Sequence, residues 1–307
     1  MGISMKRWAD EPLFGVAGFP PNFFKSPYKK RESIFEWLHE LGLDWIELQN
    51  TYGVKMKSEQ AAQYRQLAAE YGIGISIHGP YYISLASGDT EVVARSKKRI
   101  LQCFRLAEEL GTTRIIFHPG FYPGSSEDAR KSGLCRLIDE LNALENSVPE
   151  GVYLYPETAG KNTQLGSLDE IIQICDQVSF ARPCIDLAHV HAFEHGSLFS
   201  DTSIIRIFEK LEQHFSPPIM EELHFHVYPV DYNSKGERTH KAFSDRIETN
   251  EITLFSANAP DRYYPDAKSF IKALKETGYR PVVICEAKNT QDEGALLMKS
   301  LFGNQNV

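Results

Sequence analysis

Short apolar runs alternate with longer amphipathic stretches along the whole chain. The apolar runs are hydrophobic on both faces, which is typical of parallel strands that are covered by helices. Between them, apolar residues recur at helical spacing, as at Ile100, Cys103 and Ala107. The predicted strands are 13–18, 44–49, 74–78, 114–118, 152–157, 182–186, 223–228 and 281–286. The predicted helices are roughly 31–41, 57–71, 90–110, 127–145, 167–177, 202–214, 266–277 and 291–302.

Eight strands, each followed by a helix, predict an α/β fold of the (β/α)8 TIM barrel type, with its active face at the C-terminal ends of the strands. A doubly wound open sheet is the alternative, but no GxGxxG turn follows the first strand. No linker divides the chain, so residues 1–307 are predicted to form a single barrel domain. The irregular stretch 229–265, after the seventh strand, is predicted to be a long loop over the active face.

The composition is that of a soluble globular protein, with 42% hydrophobic and 24% charged residues. The net charge of −8 gives no basic footprint for nucleic acid. Five cysteines without a CxxC pair predict reduced thiols in a cytoplasmic protein, with Cys184 and Cys285 as core residues. Neither a signal peptide nor a membrane span is predicted, so no membrane partner is expected.

Six of the predicted strands, the third to the eighth, end in a residue of the type that binds metals. These residues are His78, His118, Glu157, Asp186, His226 and Glu286. A single histidine at a strand end is usually structural, but in a barrel all six side chains would converge on one point. A carboxylate that ends an apolar strand is costly unless it is paired or bound to metal. The pattern therefore favours a metal centre.

The ligand set contains nitrogen and carboxylate oxygen without sulfur, which suits Zn²⁺ first, with Mn²⁺ or Fe²⁺ as alternatives. Six or more ligands exceed the needs of one ion, so two or three divalent ions are expected. Ions a few Å apart suit an in-line displacement at phosphorus. His224 is the rival of His226, because it lies two residues earlier and faces the same way. His39 and His214 lie on predicted helices and are expected at the surface. His191 and His195 are expected to support the ligands from behind or to lie in a loop.

Five short motifs carry a family resemblance: HGPYYISLAS, FHPG, ETAGK, IDLAH and ICEA. Their order and spacing resemble the endonuclease IV family of apurinic/apyrimidinic (AP) endonucleases, within the wider xylose-isomerase-like barrels. The resemblance implies a barrel with a trinuclear zinc centre and a DNA-repair hydrolase. Such an enzyme cleaves DNA 5′ to abasic sites through a metal-activated hydroxide. Damaged DNA is therefore the expected partner, and a small phosphoester or a sugar is the alternative.

The resemblance also assigns roles. It implies a first metal site with His78 and His118, and Glu157 as the carboxylate that bridges to a second site. The second site would be completed by Asp186, His226 and Glu286. His189 and His240 match ligands of a third site. Tyr81 and Tyr82 fall where the family places residues that enter the DNA, and Glu157 and Glu286 are the candidate catalytic residues that position the hydroxide.

Two departures from the family pattern stand out. The family completes its third site with an Asp-x-His pair, but this chain reads GERTHKAF, with Arg238 in the place of the Asp. Glu237 is a substitute if the loop is shifted. After the second strand, where the family presents a basic residue to DNA, the chain has Glu47, Gln49 and Asn50.

Two other functions remain open at this point. A sugar isomerase or epimerase of this superfamily uses one metal and moves protons with two glutamates, for which Glu157, Asp186, His226 and Glu286 would suffice. A degenerate barrel that binds a sugar or nucleotide as a sensor is the non-enzymatic alternative. Counting the metals bound per chain separates the isomerase from the phosphodiesterase, because one ion favours the isomerase and two or three favour the phosphodiesterase.

Overall fold

The computed structural model describes residues 11–247 and 262–304. The strands are β1 (Leu13–Ala17), β2 (Trp45–Gln49), β3 (Gly74–His78), β4 (Arg114–Phe117), β5 (Tyr153–Pro156), β6 (Cys184–Asp186), β7 (His224–Val227), β8 (Val230–Asn233), β9 (Gly236–His240) and β10 (Val282–Cys285). The helices are α1 (Pro21–Lys25), α2 (Ile34–Glu40), α3 (Ser58–Tyr71), α4 (Thr90–Leu110), α5 (Glu127–Asn142), α6 (Leu168–Gln177), α7 (Leu187–Phe193), α8 (Asp201–Glu212), α9 (Pro217–Glu221), α10 (Ala267–Thr277) and α11 (Gln291–Gly303).

Eight parallel strands form the barrel in the order β5-β4-β3-β2-β1-β10-β7-β6. Backbone hydrogen bonds from Leu154 to Phe180 (2.9 Å) and from Thr158 to Cys184 (3.1 Å) join the remaining edges, β5 and β6. The predicted (β/α)8 TIM barrel is confirmed. The structure adds the short helices α1, α7 and α9, which are too brief to leave a periodic signal in the sequence.

The strand residues alternate between two hydrophobic layers, as the period of two requires. Inward-facing Leu13, Trp45 and Ile284 belong to a small cluster inside the barrel. Their neighbours Ile46 and Leu48 pack outward in the large core between strands and helices. Both layers hold buried side chains, so the barrel interior is filled below the level of the strand ends.

The segment after β7 contains regular structure. Its first part is the antiparallel hairpin β8–β9, whereas a long irregular loop was predicted over 229–265. Residues 248–261 lie outside the described residues, as do 1–10 and 305–307. The boundaries 229–265 and 1–307 therefore stay predictions. Among the helices of the described ranges, none is long and apolar enough to cross a membrane.

Candidate metal centre

The C-terminal ends of the barrel strands open onto one cavity of about 350 Å³. Its lining includes His78, His118, Glu237 and Glu286, together with Lys161 at its edge. These side chains come from the loops and ends of β3, β4, β5, β9 and β10. The parallel register brings residues that are far apart in sequence to one face of the barrel.

Glu157 lies at the centre of the cluster and is almost fully buried. Its Oε2 is 3.1 Å from Nε2 of His78 and 3.3 Å from Nδ1 of His118. Its Oε1 is 3.1 Å from Nδ1 of His226 and 3.3 Å from Nδ1 of His189. The two oxygens of one carboxylate therefore face two different pairs of histidines, as a bridging ligand requires.

A second group surrounds Nδ1 of His226. Asp186 Oδ2 lies 3.9 Å from this nitrogen, and Glu286 Oε1 lies 3.7 Å from it. The Tyr228 hydroxyl donates a hydrogen bond of 3.0 Å to Asp186 Oδ2. Asp186 also caps α7, because its Oδ1 accepts the His189 N–H at 2.8 Å. This cap fixes the distance between the second group and His189.

A third group is formed by His189, Glu237 and His240. Glu237 Oε2 lies 3.2 Å from Nε2 of His189, and its Oε1 lies 3.1 Å from Nε2 of His240. Gly160, from the ETAGK motif, packs directly on this group. A Cβ at Gly160 would come within 2.6 Å of the His189 ring, so the close approach needs glycine.

A β-bulge explains why Glu237, and not Arg238, joins this group. In the β8–β9 hairpin Thr239 pairs with Asp231 and Glu237 pairs with Tyr232, which leaves Arg238 as an extra residue. The bulge puts residues three apart, Glu237 and His240, on one face. Arg238 turns outward to Asp231 (3.1 Å). Glu-x-x-His on a bulged strand thus occupies the place expected for Asp-x-His on a regular one.

The orientation of the imidazoles fits metal binding. Nδ1 of His78, His189 and His240 faces the backbone carbonyl of Gly79, Thr158 and Glu286, respectively, at 2.8–3.0 Å. A carbonyl only accepts, so these Nδ1 atoms carry hydrogen, and each Nε2 is left to face a carboxylate. Metal-binding histidines are commonly oriented in this way.

The distances also fit. Ligand atoms about 2.0–2.2 Å from one Zn²⁺ ion lie roughly 3.0–3.5 Å apart, which is the range of the contacts that His78, His118 and His226 make with Glu157. In addition, Nδ1 of His118 is buried and has no hydrogen-bond partner among the described residues. A divalent ion beside Glu157 would satisfy that nitrogen.

Burial and mutual charge set the protonation of the metal-free cluster. Burial opposes charge on His78, but the hydrogen bond and the charge of Glu157 outweigh it and raise the pKa of His78 to about 9. At His118 burial dominates and lowers the pKa to about 4. Burial raises the pKa of Asp186 to about 7. The metal-free site therefore holds protons near neutral pH, and metal binding must displace them.

The family model of the xylose isomerase-like TIM barrel matches residues 35–301. The chain belongs to this family. It is 31% identical over 293 residues to an uncharacterised protein of Methanocaldococcus jannaschii, covering 94% of this chain and 96% of that protein. It is 32% identical over 164 residues to a probable endonuclease 4 of Symbiobacterium thermophilum, covering 50% of this chain and 58% of that protein.

Solved structures of two kinds of enzyme share the fold. Endonuclease IV from Thermus thermophilus has a TM-score of 0.61 at 12% identity, covering 94% of this chain and 98% of that one. D-psicose 3-epimerase from Clostridium cellulolyticum has a TM-score of 0.59 at 15% identity, covering 92% and 88%. The predicted resemblance to endonuclease IV within this superfamily is confirmed, and both an endonuclease and an epimerase are among the structural neighbours.

In this family member the structure brings all eight predicted metal ligands to one cluster and separates His226 from its rival. His226 lies at the level of Asp186, whereas His224 pairs with Cys184, one layer deeper in the barrel. Of the other histidines, His39 and His214 lie at the surface, on α2 and after α8. His191 is buried in α7, where its Nδ1 accepts the Leu198 N–H at 2.9 Å.

Glu47 was expected at the rim after the second strand, and this was wrong. It faces the barrel interior and has no exposed surface. Its Oε2 accepts hydrogen bonds from Ser76 Oγ (2.9 Å) and from Nε2 of His224 (3.0 Å). A signal for its burial, although not for its depth, was available in the sequence, because Glu47 lies within the apolar run WIEL.

The two tyrosines lie at the edge of the cavity. Tyr81 is 38% exposed and Tyr82 is 56% exposed. Their rings meet edge to face with centroids 6.0 Å apart, and the Tyr81 ring lies 5.9 Å from the His118 ring. An exposed ring so near the first group is placed to touch whatever molecule enters the cavity.

Proposed function

We propose that this protein is a metal-dependent phosphodiesterase that cleaves DNA at abasic sites. The observation that carries the proposal is the adjacency of three ligand groups around Glu157. A one-metal isomerase would need only the group around His226. The first and third groups supply five further side chains: His78, His118, His189, Glu237 and His240.

When bound, divalent ions would supply a nucleophilic water and stabilise the charge that develops on the phosphate oxygens. The protein would hold them through the three groups, with Glu157 shared between the first and second. Zn²⁺ is the expected ion, because the donors are imidazole and carboxylate in about equal number.

The residues of the chain have separable tasks in this reaction. Glu286 lies on the open side of the cluster, lines the cavity and is held by Gln49 Nε2 at 3.4 Å. It is therefore placed to orient a water molecule and to accept its proton. Tyr81 and Tyr82 would stack on the nucleotide next to the lesion. Lys161 adds a positive charge at the cavity edge for a phosphate.

Sugar epimerisation is the second candidate, and two observations favour it. The group Glu157, Asp186, His226 contains the donors that a one-metal site requires. The fold is also shared with D-psicose 3-epimerase. In such an enzyme, however, the third group at Glu237 would have no task, although its imidazoles are fully oriented.

Metal counting combined with two activity assays tests the proposal. We expect two or three Zn²⁺ ions per chain by elemental analysis, and cleavage of an abasic-site duplex that a chelator abolishes. An undamaged duplex of the same sequence is the substrate control, and His118→Ala should lower both the metal count and cleavage. One ion per chain together with epimerisation of a ketohexose would establish the second candidate instead.

A further inference from the structure

Beneath the metal centre, the ligand His226 belongs to a buried polar network whose other members have no task in the proposed reaction. These members are Trp45, Ser76, Glu47 and His224. The Trp45 ring N–H donates to Ser76 Oγ (3.1 Å), and Ser76 Oγ donates to Glu47 Oε2 (2.9 Å). Nε2 of His224 is 3.0 Å from the same oxygen. The second oxygen, Oε1, lies 3.1 Å from Nε2 of His226.

A charged carboxylate at this depth needs an explanation. Removing a carboxylate from water has an effective penalty of several kcal/mol, and its partners must offset it. Two of these partners are imidazoles: Nε2 of His224 and Nε2 of His226 lie 3.0 Å and 3.1 Å from the two oxygens of Glu47. An apolar residue would fill the same space without that penalty.

His226 differs from three other histidines of the cluster in the partner of the ring nitrogen that points away from the metal centre. His78, His189 and His240 each donate Nδ1–H to a backbone carbonyl. His226 is reversed: its Nδ1 faces Glu157, Asp186 and Glu286, and its Nε2 faces the Glu47 carboxylate. Nε2 is buried and forms no well-angled hydrogen bond to any described residue, although Glu47 is within hydrogen-bond length.

We propose that Glu47 is a positioning residue that holds His226 as an Nδ1 metal ligand, with His224 and Ser76 holding Glu47 in turn. The carboxylate keeps hydrogen on Nε2, leaves the Nδ1 lone pair free for the ion and makes the imidazole a stronger donor. Gln49 extends the network to the opposite side of the second group, because its Nε2 lies 3.4 Å from both Glu47 Oε1 and Glu286 Oε1. The role concerns metal binding and holds whichever reaction the centre catalyses.

The test compares Glu47→Gln with Glu59→Gln, an exposed glutamate in the first turn of α3. Zn²⁺ is titrated into metal-free protein against a competing chelator, without any substrate. Losing an orienting partner of this kind lowers metal affinity by about 10- to 100-fold. We expect that loss for Glu47→Gln at one site, with an unchanged number of ions at saturation, and no change for Glu59→Gln. A loss of affinity of no more than about twofold for Glu47→Gln would overturn the proposal, because the expected loss is at least about 10-fold.

A second measurement needs no variant and so does not depend on whether Glu47→Gln folds. In wild-type protein with ¹⁵N-labelled histidine and bound Zn²⁺, the long-range imidazole couplings report which nitrogen of each ring carries hydrogen. We expect Nε2–H for His226, with its proton shifted downfield by the carboxylate, and Nδ1–H for His78, His189 and His240. Zn²⁺ on Nε2 of His226 would refute the role of Glu47, whether or not the protein cleaves DNA.

Discussion

Among the described residues, Glu237 is the carboxylate that joins His189 to His240, so the third ligand group depends on it. Glu237→Gln removes the charge and keeps the shape. In the wild type, each carboxylate oxygen of Glu237 faces Nε2 of one histidine at 3.1–3.2 Å. The amide of glutamine has a single oxygen, which it can present to only one of the two histidines. We therefore expect the variant to bind one ion fewer than the wild type.

The expected size of the effect can be worked out for thermal unfolding. An ion present at 100 times its Kd stabilises the folded state by about 2.7 kcal/mol. With an unfolding entropy of about 2.1 cal/mol/K per residue, a chain of 307 residues has a total of about 0.6 kcal/mol/K. Loss of the third ion should therefore lower Tm by about 4 °C at such a Zn²⁺ concentration, and by much less in chelator.

Arg238→Gln is the matched control, because it changes the adjacent residue of the same strand. Arg238 is exposed and pairs with Asp231 away from the cavity. It should keep the wild-type metal count and the wild-type Tm in Zn²⁺. If Arg238→Gln lost the ion while Glu237→Gln retained it, the assignment of the bulge would be wrong. Elemental analysis after dialysis and scanning calorimetry provide the two readouts.

Three further outcomes are expected. Native protein should react with a thiol reagent at one cysteine, Cys135, and at five after denaturation, because the other four are buried; two or more fast thiols would contradict the packing. Phe225→Ala, in the core between Phe208 and Phe270, should lose about 3–5 kcal/mol of unfolding free energy by denaturant titration, whereas Phe24→Ala should lose much less, because Phe24 is half exposed. Tyr81→Ala should weaken binding of an abasic-site duplex by about 5- to 150-fold, since stacking contributes about 1–3 kcal/mol per base, with unchanged metal content; equal binding would exclude stacking by this ring.

The barrel and the position of most ligands were predictable from local patterns. A strand has a period of two, so His224 and His226 had to share a face, and parallel strands had to bring Glu157 and Glu286 to the same end of the barrel. Short sequence motifs around His78, His118 and Asp186 then indicated which residues at the C-terminal ends of the strands face the cavity. None of these inferences required knowledge of contacts between distant strands.

Two features were decided only by the tertiary structure. The bulge at Arg238 depends on pairing with β8, because nothing in GERTH itself shows which residue is extruded. The depth of Glu47 depends on the tilt and stagger of the strands, which set how far each one rises towards the rim. The sequence by itself determined the kind of fold and the donor atoms, because these follow from periodicity and residue chemistry. Which carboxylate completes the third group, and which one lies beneath His226, followed from strand pairing, which is a property of the closed barrel.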